Sequence, residues 1–247
     1  MSTRKLANAT GTSRTSVQRI IKNNLHLKSY KLKEAHLLTN TMKETRLERA
    51  KILKKRFAAG RHRSILLFDE KIFIIEQSHN HKNDMIWYLE VSSQDRIVNR
   101  SQKQKSVMVW AGITFDGKAP LIFIEEDVKI NQMIYRTMLQ DKVLPWAQEQ
   151  FRDRHWTFQQ DSAPPHKARD TLNWIEENFP SFLSPQEWLP YSPDLNPMDF
   201  SIWSILDSNA YTKPHISVAA LKRSLVKAWD EISLETIEKV TDNFPKR

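Results

Sequence analysis

From Ser64 onward the sequence changes to short apolar runs of strand length, and this change is what most constrains the fold. The strand-like runs cover residues 65–68 with 72–75, 85–91, 107–114 and 121–124. Asp116-Gly117 is a hairpin signal between the last two of them. Helical periodicity follows over residues 130–151, 167–178, 198–206 and 218–240, with one further strand at 156–160. An antiparallel meander followed by helices and a strand predicts a mixed α/β layer fold.

Charge divides the chain at almost the same place. Residues 1–63 contain 17 Lys and Arg against three Asp and Glu, a net of +14, whereas residues 64–247 contain 21 against 26, a net of −5. Basic charge concentrated in one region favours polyanion binding, because cations near phosphates release condensed counterions. The alternative is a solvated basic helix surface, so charge alone favours nucleic acid only modestly.

Composition excludes several other classes of protein. The chain has no cysteine, which excludes disulfides and thiolate metal sites and favours a reducing, intracellular compartment. No apolar run reaches the roughly 18 residues of a membrane helix, and the first residues lack the apolar segment of a secretory signal. Four glycines leave little room for a glycine-rich phosphate loop.

Residues 3–24 are predicted to form a helix-turn-helix. Ala7 allows close approach of the helices, Gly11 permits the turn, and Val17 and Ile20 are expected to face the core of the pair. Ser13 is placed to cap the second helix. A helical hairpin without DNA binding remains the alternative. The outer face of the second helix carries the candidate DNA contacts Arg14, Gln18, Arg19 and Lys22.

A second basic stretch runs from about residue 31 to 63 and is predicted to be a helical linker. Its last turns contain Lys54, Lys55 and Arg56, which are candidate DNA contacts. The stretch also fits a nuclear localisation signal. A solvated helix explains the charge equally well.

Three aspartates lie where charged side chains are costly unless paired or bound to metal. Asp69 and Asp161 are predicted at the ends of apolar strands, and Asp199 at the start of a helix. Carboxylates brought together in this way suit Mg²⁺ or Mn²⁺, and two such ions can promote phosphoryl transfer. Position alone is weak evidence, because many aspartates simply form turns.

Four segments of the sequence resemble, in order, successive blocks of the mariner-type transposases. They are "LLFDEKIF", "SVMVWAGITFDGKAPLIFIE", "WTFQQDSAPPHKA" and "LPYSPDLNPMDFSIW", and the last two are the specific ones. The resemblance implies a ribonuclease-H-like fold in which Asp69, Asp161 and Asp199 are the catalytic residues and hold Mg²⁺ or Mn²⁺. The 37 residues between the second and third aspartates resemble the subgroup whose third acid is Asp.

The residues around these aspartates, and the partners of the chain, also have expected roles. His166 is expected either to contact DNA or to cap a helix, and Asp194 to form a turn. Glu70 is expected to be a supporting or surface group rather than a ligand, because adjacent strand residues point to opposite faces. The implied partners are double-stranded DNA, at terminal inverted repeats and at the target, and a second copy of the chain. The implied compartment is the nucleus.

The resemblance also predicts the domain organisation. Relatives normally carry two helix-turn-helix modules, and residues 1–30 resemble the second of them. Residues 31–63 would be the basic linker and residues 64–247 the catalytic domain, which relatives continue beyond a segment like "FPKR". On this basis we expect the first module to be absent and the catalytic domain to be truncated at its C-terminus.

Two further functions compete with metal-dependent cut-and-paste transposition. A truncated or host-adopted DNA-binding relic without catalytic activity would retain the basic N-terminal region. An unrelated hydrolase of small phosphate esters would explain the carboxylates but not the basic region. The complete set of aspartates favours the enzyme.

Overall fold

The computed structural model describes residues 3–27, 38–75, 105–124, 128 and 130–247. The chain divides into two compact units, Met1–Leu38 and Thr39–Arg247. No helix in the described ranges is long and apolar enough to cross a membrane. The predicted strand at 85–91 and most of the polar loop after it fall outside these ranges.

The smaller unit contains the predicted pair of helices. Helix α1 (Thr3–Thr10) and helix α2 (Arg14–Arg19) are separated by a tight turn. Gly11 occupies the left-handed region at φ 61°, which is where glycine carries no steric cost. The Oγ atom of Ser13 accepts a hydrogen bond from the backbone N–H of Ser16 at 3.1 Å. The predicted turn and the predicted helix cap are therefore both confirmed.

The core of this pair is smaller than the sequence predicted. Ala7 and Val17 are buried, but Ile20 is 46% exposed. The i,i+3 spacing places Ile20 on the same side of the helix as Val17, but the partner helix α1 has only eight residues. Beyond Arg19 the helix widens into a π-helical turn, Ile20–Asn24. The inward orientation predicted for Ile20 was wrong.

The larger unit is a mixed α/β fold, as predicted. Its strands are β1 (Ile65–Ile74), β2 (Ser106–Thr114), β3 (Gly117–Lys118), β4 (Ile122–Ile124) and β5 (Thr157–Gln159). Its helices are α3 (Asn40–Arg56), α4 (Gln132–Met138), α5 (Leu144–Phe151), α6 (Arg169–Asn178), α7 (Trp203–Ala210), α8 (Val218–Asp230) and α9 (Leu234–Thr241). The π-helical turns Leu139–Val143 and Met198–Ile202 precede α5 and α7.

Within the described ranges the sheet has the order β3-β2-β1-β5, with β4 also paired to β2. Strands β1 and β2 are antiparallel, and so are the pairs that β3 and β4 make with β2. Strand β5 pairs with β1 in parallel. A parallel neighbour reached through helices α4 and α5 is the connection expected of a mixed sheet.

Successive side chains of β1 point to opposite faces of the sheet, so they pack in two separate cores. Ile65, Leu67 and Phe73 pack with helices α7, α8 and α9 on one face of the sheet. Leu66 and Phe68 pack on the other face with helices α4, α5 and α6. The domain is therefore a sheet between two helical layers, and both faces of its central strand are buried.

Strand β1 does not end at Asp69, contrary to the sequence prediction. It continues to Ile74, and Asp69 pairs with Ala111 of β2 in an unbroken ladder. The pairing of β1 with β5 ends earlier, where Leu67 lies opposite Gln159. Asp69 thus lies beyond the end of its parallel neighbour, which leaves room for other side chains beside it.

Two helical boundaries also differ from the sequence prediction. The stretch 218–240 is two helices, because Ser233 caps a new helix by accepting a hydrogen bond from the N–H of Thr236. Helix α6 begins at Arg169 rather than at 167. The helix predicted at 198–206 begins as a π-helical turn and extends to Ala210.

Helix α3 belongs to the same compact unit as the sheet. Thr39 caps its first turn, and Leu53 and Phe57 are buried in the core that also contains helices α7 to α9. The sequence analysis predicted that these residues belong to a basic linker. A helix without a clear apolar stripe gives no sequence signal that it packs on a core.

Candidate active site

The ends of two parallel strands bring the first two predicted aspartates together. Leu67 on β1 is paired with Gln159 on β5. Asp69 lies two residues after Leu67 on β1, and Asp161 lies two residues after Gln159, just beyond the end of β5, so the two aspartates lie at the same end of the pair. The two carboxyl groups are close enough to interact, since the charge of Asp161 contributes to raising the pKa of Asp69.

The third aspartate reaches the same place from the π-helical turn before α7. Asn196 precedes this turn, and its Oδ1 atom accepts a hydrogen bond from the backbone N–H of Met198 at 3.2 Å. Besides burial, the charge of Asp199 raises the pKa of Asp69, and the charge of Asp161 raises the pKa of Asp199, so the three carboxyl groups interact electrostatically. The structure thus brings all three predicted aspartates into one cluster.

Asp69 is the most buried of the three, with 8% of its surface exposed. Its Oδ2 atom accepts a hydrogen bond of 2.6 Å from the indole N–H of Trp203 at the start of α7. Burial and then the charge of Asp199 raise the pKa of Asp69 to about 8, although the Trp203 hydrogen bond opposes the shift. Without a counter-charge, the ionised cluster is therefore unfavourable in the folded protein.

Asp161 is held by two hydrogen bonds that end on the same oxygen. The backbone N–H of Ala163 donates to its Oδ1 atom at 2.9 Å, and His166 Nδ1 lies 2.6 Å from it. Burial raises the pKa of Asp161, but the His166 hydrogen bond and charge outweigh it, and the net shift is downward. Among the described residues no hydrogen bond ends on Oδ2, which is therefore the oxygen able to face an ion.

His166 is a buried residue, with 3% of its surface exposed. Its ring stacks on Tyr135 at 4.2 Å between centroids and meets the edge of Trp110 at 5.7 Å. Its backbone carbonyl accepts from the side-chain amide of Gln160 at 3.1 Å, and Tyr135 in turn hydrogen-bonds Gln160. The side chain does not cap a helix, since α6 begins three residues later, and its burial does not favour the predicted DNA contact. It instead orients Asp161.

Glu70 is closer to the site than the sequence reasoning allowed. It points to the opposite face of β1 from Asp69, as alternation requires, but its carboxylate lies 3.8 Å from His166 Nε2. Burial and then the charge of Asp161 raise the pKa of Glu70 to about 9. Because the site lies beyond the end of β5, both faces of β1 border it. The position of Glu70 directly after Asp69 was the available signal.

The tightest group of potential metal ligands among the described residues is not the predicted one. It comprises Glu70, Asp161 and His166, whose ligand atoms lie within 4.8 Å of one another. Imidazole is a poor ligand for Mg²⁺, and Nδ1 of His166 is already engaged by Asp161. Of the residues gathered here, the carboxylates therefore supply the oxygen ligands that Mg²⁺ prefers.

The chemistry of the cluster fits a hard divalent cation. Desolvation and mutual repulsion raise the pKa of Asp69, Glu70 and Asp199 together, which is the signature of carboxylates gathered without enough positive charge. Lys71 lowers the pKa of Asp199 but is engaged in an ion pair with Asp207. Oxygen ligands of this kind, few in number, are what Mg²⁺ and Mn²⁺ take from proteins.

The predicted DNA contacts differ in how available their side chains are. Those of α2 and the turn after it are exposed, as are Lys54 and Lys55 on α3. Arg56 is partly buried and forms an ion pair with Glu187, with further bonds to Ser181 and the carbonyl of Phe182. Its guanidinium is therefore engaged within the domain. The exposed predicted contacts are Arg14, Gln18, Arg19, Lys22, Lys54 and Lys55.

The fold and the acidic cluster define a ribonuclease-H-like α/β domain preceded by a helical N-terminal part. Solved structures of the Mos1 transposase resemble this chain. The match to the "Mos1 transposase paired-end complex with left transposon end" covers all of this chain and 72% of the Mos1 chain, with a TM-score of 0.76 and 18% sequence identity. The "Mos1 mariner paired end complex with Mn" has the same coverage, a TM-score of 0.78 and 19% identity.

The isolated catalytic domain of the Mos1 mariner transposase matches as well. This match covers 87% of the present chain and 93% of the Mos1 catalytic domain, with a TM-score of 0.65 and 21% identity. No protein-family model and no curated protein matches the chain. At these identities the likeness establishes the fold, and the chemistry depends on the residues of this chain.

Proposed function

We propose that this chain is a mariner-type DNA transposase that cleaves and joins DNA with divalent metal. The observation that carries the proposal is the convergence of Asp69, Asp161 and Asp199 from three different elements onto one acidic cluster. The fold supports it, because the similar structures include paired-end and strand-transfer complexes of Mos1. The basic first 63 residues add a region suited to binding a polyanion.

Asp69, Asp161 and Asp199 are the residues that would hold Mg²⁺ or Mn²⁺. Such ions, when bound, activate an attacking oxygen and stabilise the leaving oxygen of a phosphodiester. Neighbouring structures were solved with Mn and with Mg. The specific ion used by this chain is part of the proposal.

The protein groups bind, orient and exclude water, and none of them forms a covalent intermediate. Trp203 and His166 fix the carboxylates of Asp69 and Asp161, so that little reorganisation is needed when substrate arrives. Water first attacks the phosphodiester at the end of the inverted repeat and releases a 3′ hydroxyl. That hydroxyl then attacks a phosphodiester of the target strand, forming one P–O bond as another breaks.

The smaller unit would bind the inverted repeat through its second helix. Arg14, Gln18, Arg19 and Lys22 are exposed on α2 and the turn that follows, which suits a helix placed in a major groove. Lys54 and Lys55 on α3 would contact phosphates. Two copies of the chain bridging two transposon ends, and a nuclear location, complete the proposal.

Substitutions on α2 should separate base recognition from phosphate contact. We expect Gln18→Ala to cost about 1–3 kcal/mol on the inverted repeat and to relax sequence preference. Lys22→Ala should weaken binding to all duplexes alike and reduce the salt slope by about one. Fluorescence anisotropy over a salt series measures both, with the exposed Lys142→Ala as a control. Equal effects of both variants on all sequences would contradict base reading by Gln18.

The enzyme hypothesis is tested by a nicking and strand-joining assay. The purified chain is incubated with duplex DNA carrying the flanking inverted repeat and with Mg²⁺ or Mn²⁺, beside EDTA and a shuffled repeat. Cleavage at the repeat end that requires metal, and that Asp161→Ala abolishes, is the expected result. Nicking that persists in EDTA or in the variant would sink the proposal, whereas specific binding without cleavage would indicate a DNA-binding relic.

A further inference from the structure

Helix α3 is tied to the segment before Asp199 by a single arginine. Nη1 of Arg46 donates to the backbone carbonyls of Pro190 at 2.9 Å and Tyr191 at 2.7 Å, and also contacts Oγ of Ser192. Its Nη2 atom donates to both carboxylate oxygens of Asp194, at 3.0 and 2.9 Å. One guanidinium thus engages four of the five residues of the loop 190–194.

The loop 190–194 contains a backbone conformation that is costly without supporting contacts. Tyr191 has a φ of 50°, in the left-handed region that side chains with a Cβ seldom adopt. Its carbonyl and that of Pro190 both point at Arg46. Only 16% of the Arg46 side chain is exposed, so the interaction is shielded from solvent on the arginine side.

The supported loop leads directly to a candidate metal ligand. The carbonyl of Ser192 accepts hydrogen bonds from the N–H groups of Leu195 and Asn196. The Oδ1 atom of Asn196 in turn accepts a hydrogen bond from the backbone N–H of Met198, the residue directly before Asp199. Hydrogen bonds therefore connect Arg46 on α3 with the start of the π-helical turn that carries Asp199.

We infer that Arg46 is a positioning residue that sets the place of Asp199 in the acidic cluster. The inference rests on the proposed function for its catalytic consequence, but the ordering of the loop is independent of that function. A planar guanidinium can bind carbonyls and a carboxylate at once, whereas an ammonium group is a point donor. Arg46→Lys should therefore restore only part of what Arg46→Ala loses.

Arg49 supplies a matched control on the same helix. Its Nη1 atom also donates to two backbone carbonyls, of Pro185 and Trp188, but these precede the supported loop. Arg49→Ala should lower thermal stability about as much as Arg46→Ala, because each removes one partly buried guanidinium. A purely structural role of Arg46 would make the two variants alike in every other measurement.

The experiment compares both variants in hydrogen exchange and in metal dependence. In Arg46→Ala we expect faster exchange of the amides of Leu195, Asn196 and residues 198–200, by roughly tenfold or more, and in Arg49→Ala no change there. We also expect Arg46→Ala to raise the Mn²⁺ concentration for half-maximal cleavage by about tenfold. This is the lower end of the roughly 10–100-fold loss that follows removal of a residue that orients a metal ligand. In both measurements Arg46→Lys should lie between Arg46→Ala and the wild type.

The outcomes separate this inference from the proposed function. Unchanged exchange in Arg46→Ala would overturn the ordering of the loop by Arg46. Faster exchange with unchanged Mn²⁺ dependence would show that the ordering does not reach Asp199, and would also overturn the inference. A wild-type chain that neither cleaves DNA nor gains stability from Mn²⁺ refutes the proposed function, and the exchange data still decide whether Arg46 orders the loop.

Discussion

Asp69→Asn should abolish metal-dependent cleavage and, at the same time, make the metal-free protein more stable. The wild-type carboxylate is 8% exposed and surrounded by other acids, so it opposes folding when ionised. Asparagine has the same shape, and its Oδ1 atom can still accept the hydrogen bond from Trp203. Removing an uncompensated buried charge should raise the free energy of unfolding by about 2 kcal/mol.

The same substitution should remove the stabilisation that metal provides. For the wild type, Mn²⁺ at a hundred times its dissociation constant adds about 2.7 kcal/mol to stability. That is roughly 5–10 °C in the melting temperature of a domain of this size. Asp69→Asn should melt higher than the wild type in EDTA and lose most of the shift with Mn²⁺.

Differential scanning fluorimetry with and without Mn²⁺ measures both effects, beside the cleavage assay. Asp153→Asn is the control, because Asp153 is exposed in the turn after α5 and away from the cluster. It should leave activity and the metal shift unchanged. An Asp69→Asn variant that is less stable in EDTA, or that keeps the full metal shift, would refute the assignment of Asp69 to a repulsive metal-binding cluster.

His166→Ala should raise the metal requirement by roughly 10–100-fold, which is the usual cost of removing a group that orients a metal ligand. Without the imidazole, Asp161 keeps only the backbone N–H of Ala163, and its carboxylate gains rotational freedom. His166→Asn should recover part of the loss, because the amide nitrogen of Asn can occupy the position of Nδ1. A titration of cleavage against Mn²⁺ concentration separates this loss from a loss of maximal rate.

The exposed His155→Ala is the control for removal of a histidine, and a melting curve accounts for the lost packing against Tyr135. A purely structural role would lower stability in both His166 variants without changing the metal requirement. A direct DNA contact would instead raise the Kd for DNA and leave the metal requirement as it is. Either result would contradict orientation of Asp161 by His166.

Local signals in the sequence were sufficient for the first pair of helices and for the fold class. Gly11 and Ser13 have the turn and cap functions predicted for them, because both depend on the residue itself and its immediate neighbours. The period of apolar residues predicted the mixed α/β fold for the same reason. It failed for Ile20, where burial depends on how far the neighbouring helix extends.

Nonlocal contacts decided the features that the sequence missed. Arg46, Arg49 and Arg56 read as part of a basic linker, yet each is bound to a segment about 130 to 150 residues away along the chain. Glu70 was set aside because alternation turns it away from Asp69, and that is correct for one strand in isolation. It borders the site because the neighbouring strand ends before it.

The sequence by itself determined the fold class and the turn and cap of the first helices. Each of these follows from residue type and spacing, which act over a few neighbours. Only the tertiary structure decided that His166 is buried against Tyr135 and holds Asp161, and that α3 supports the loop before Asp199. Hydrogen bonds and burial of this kind depend on which distant segments the folded chain brings into contact.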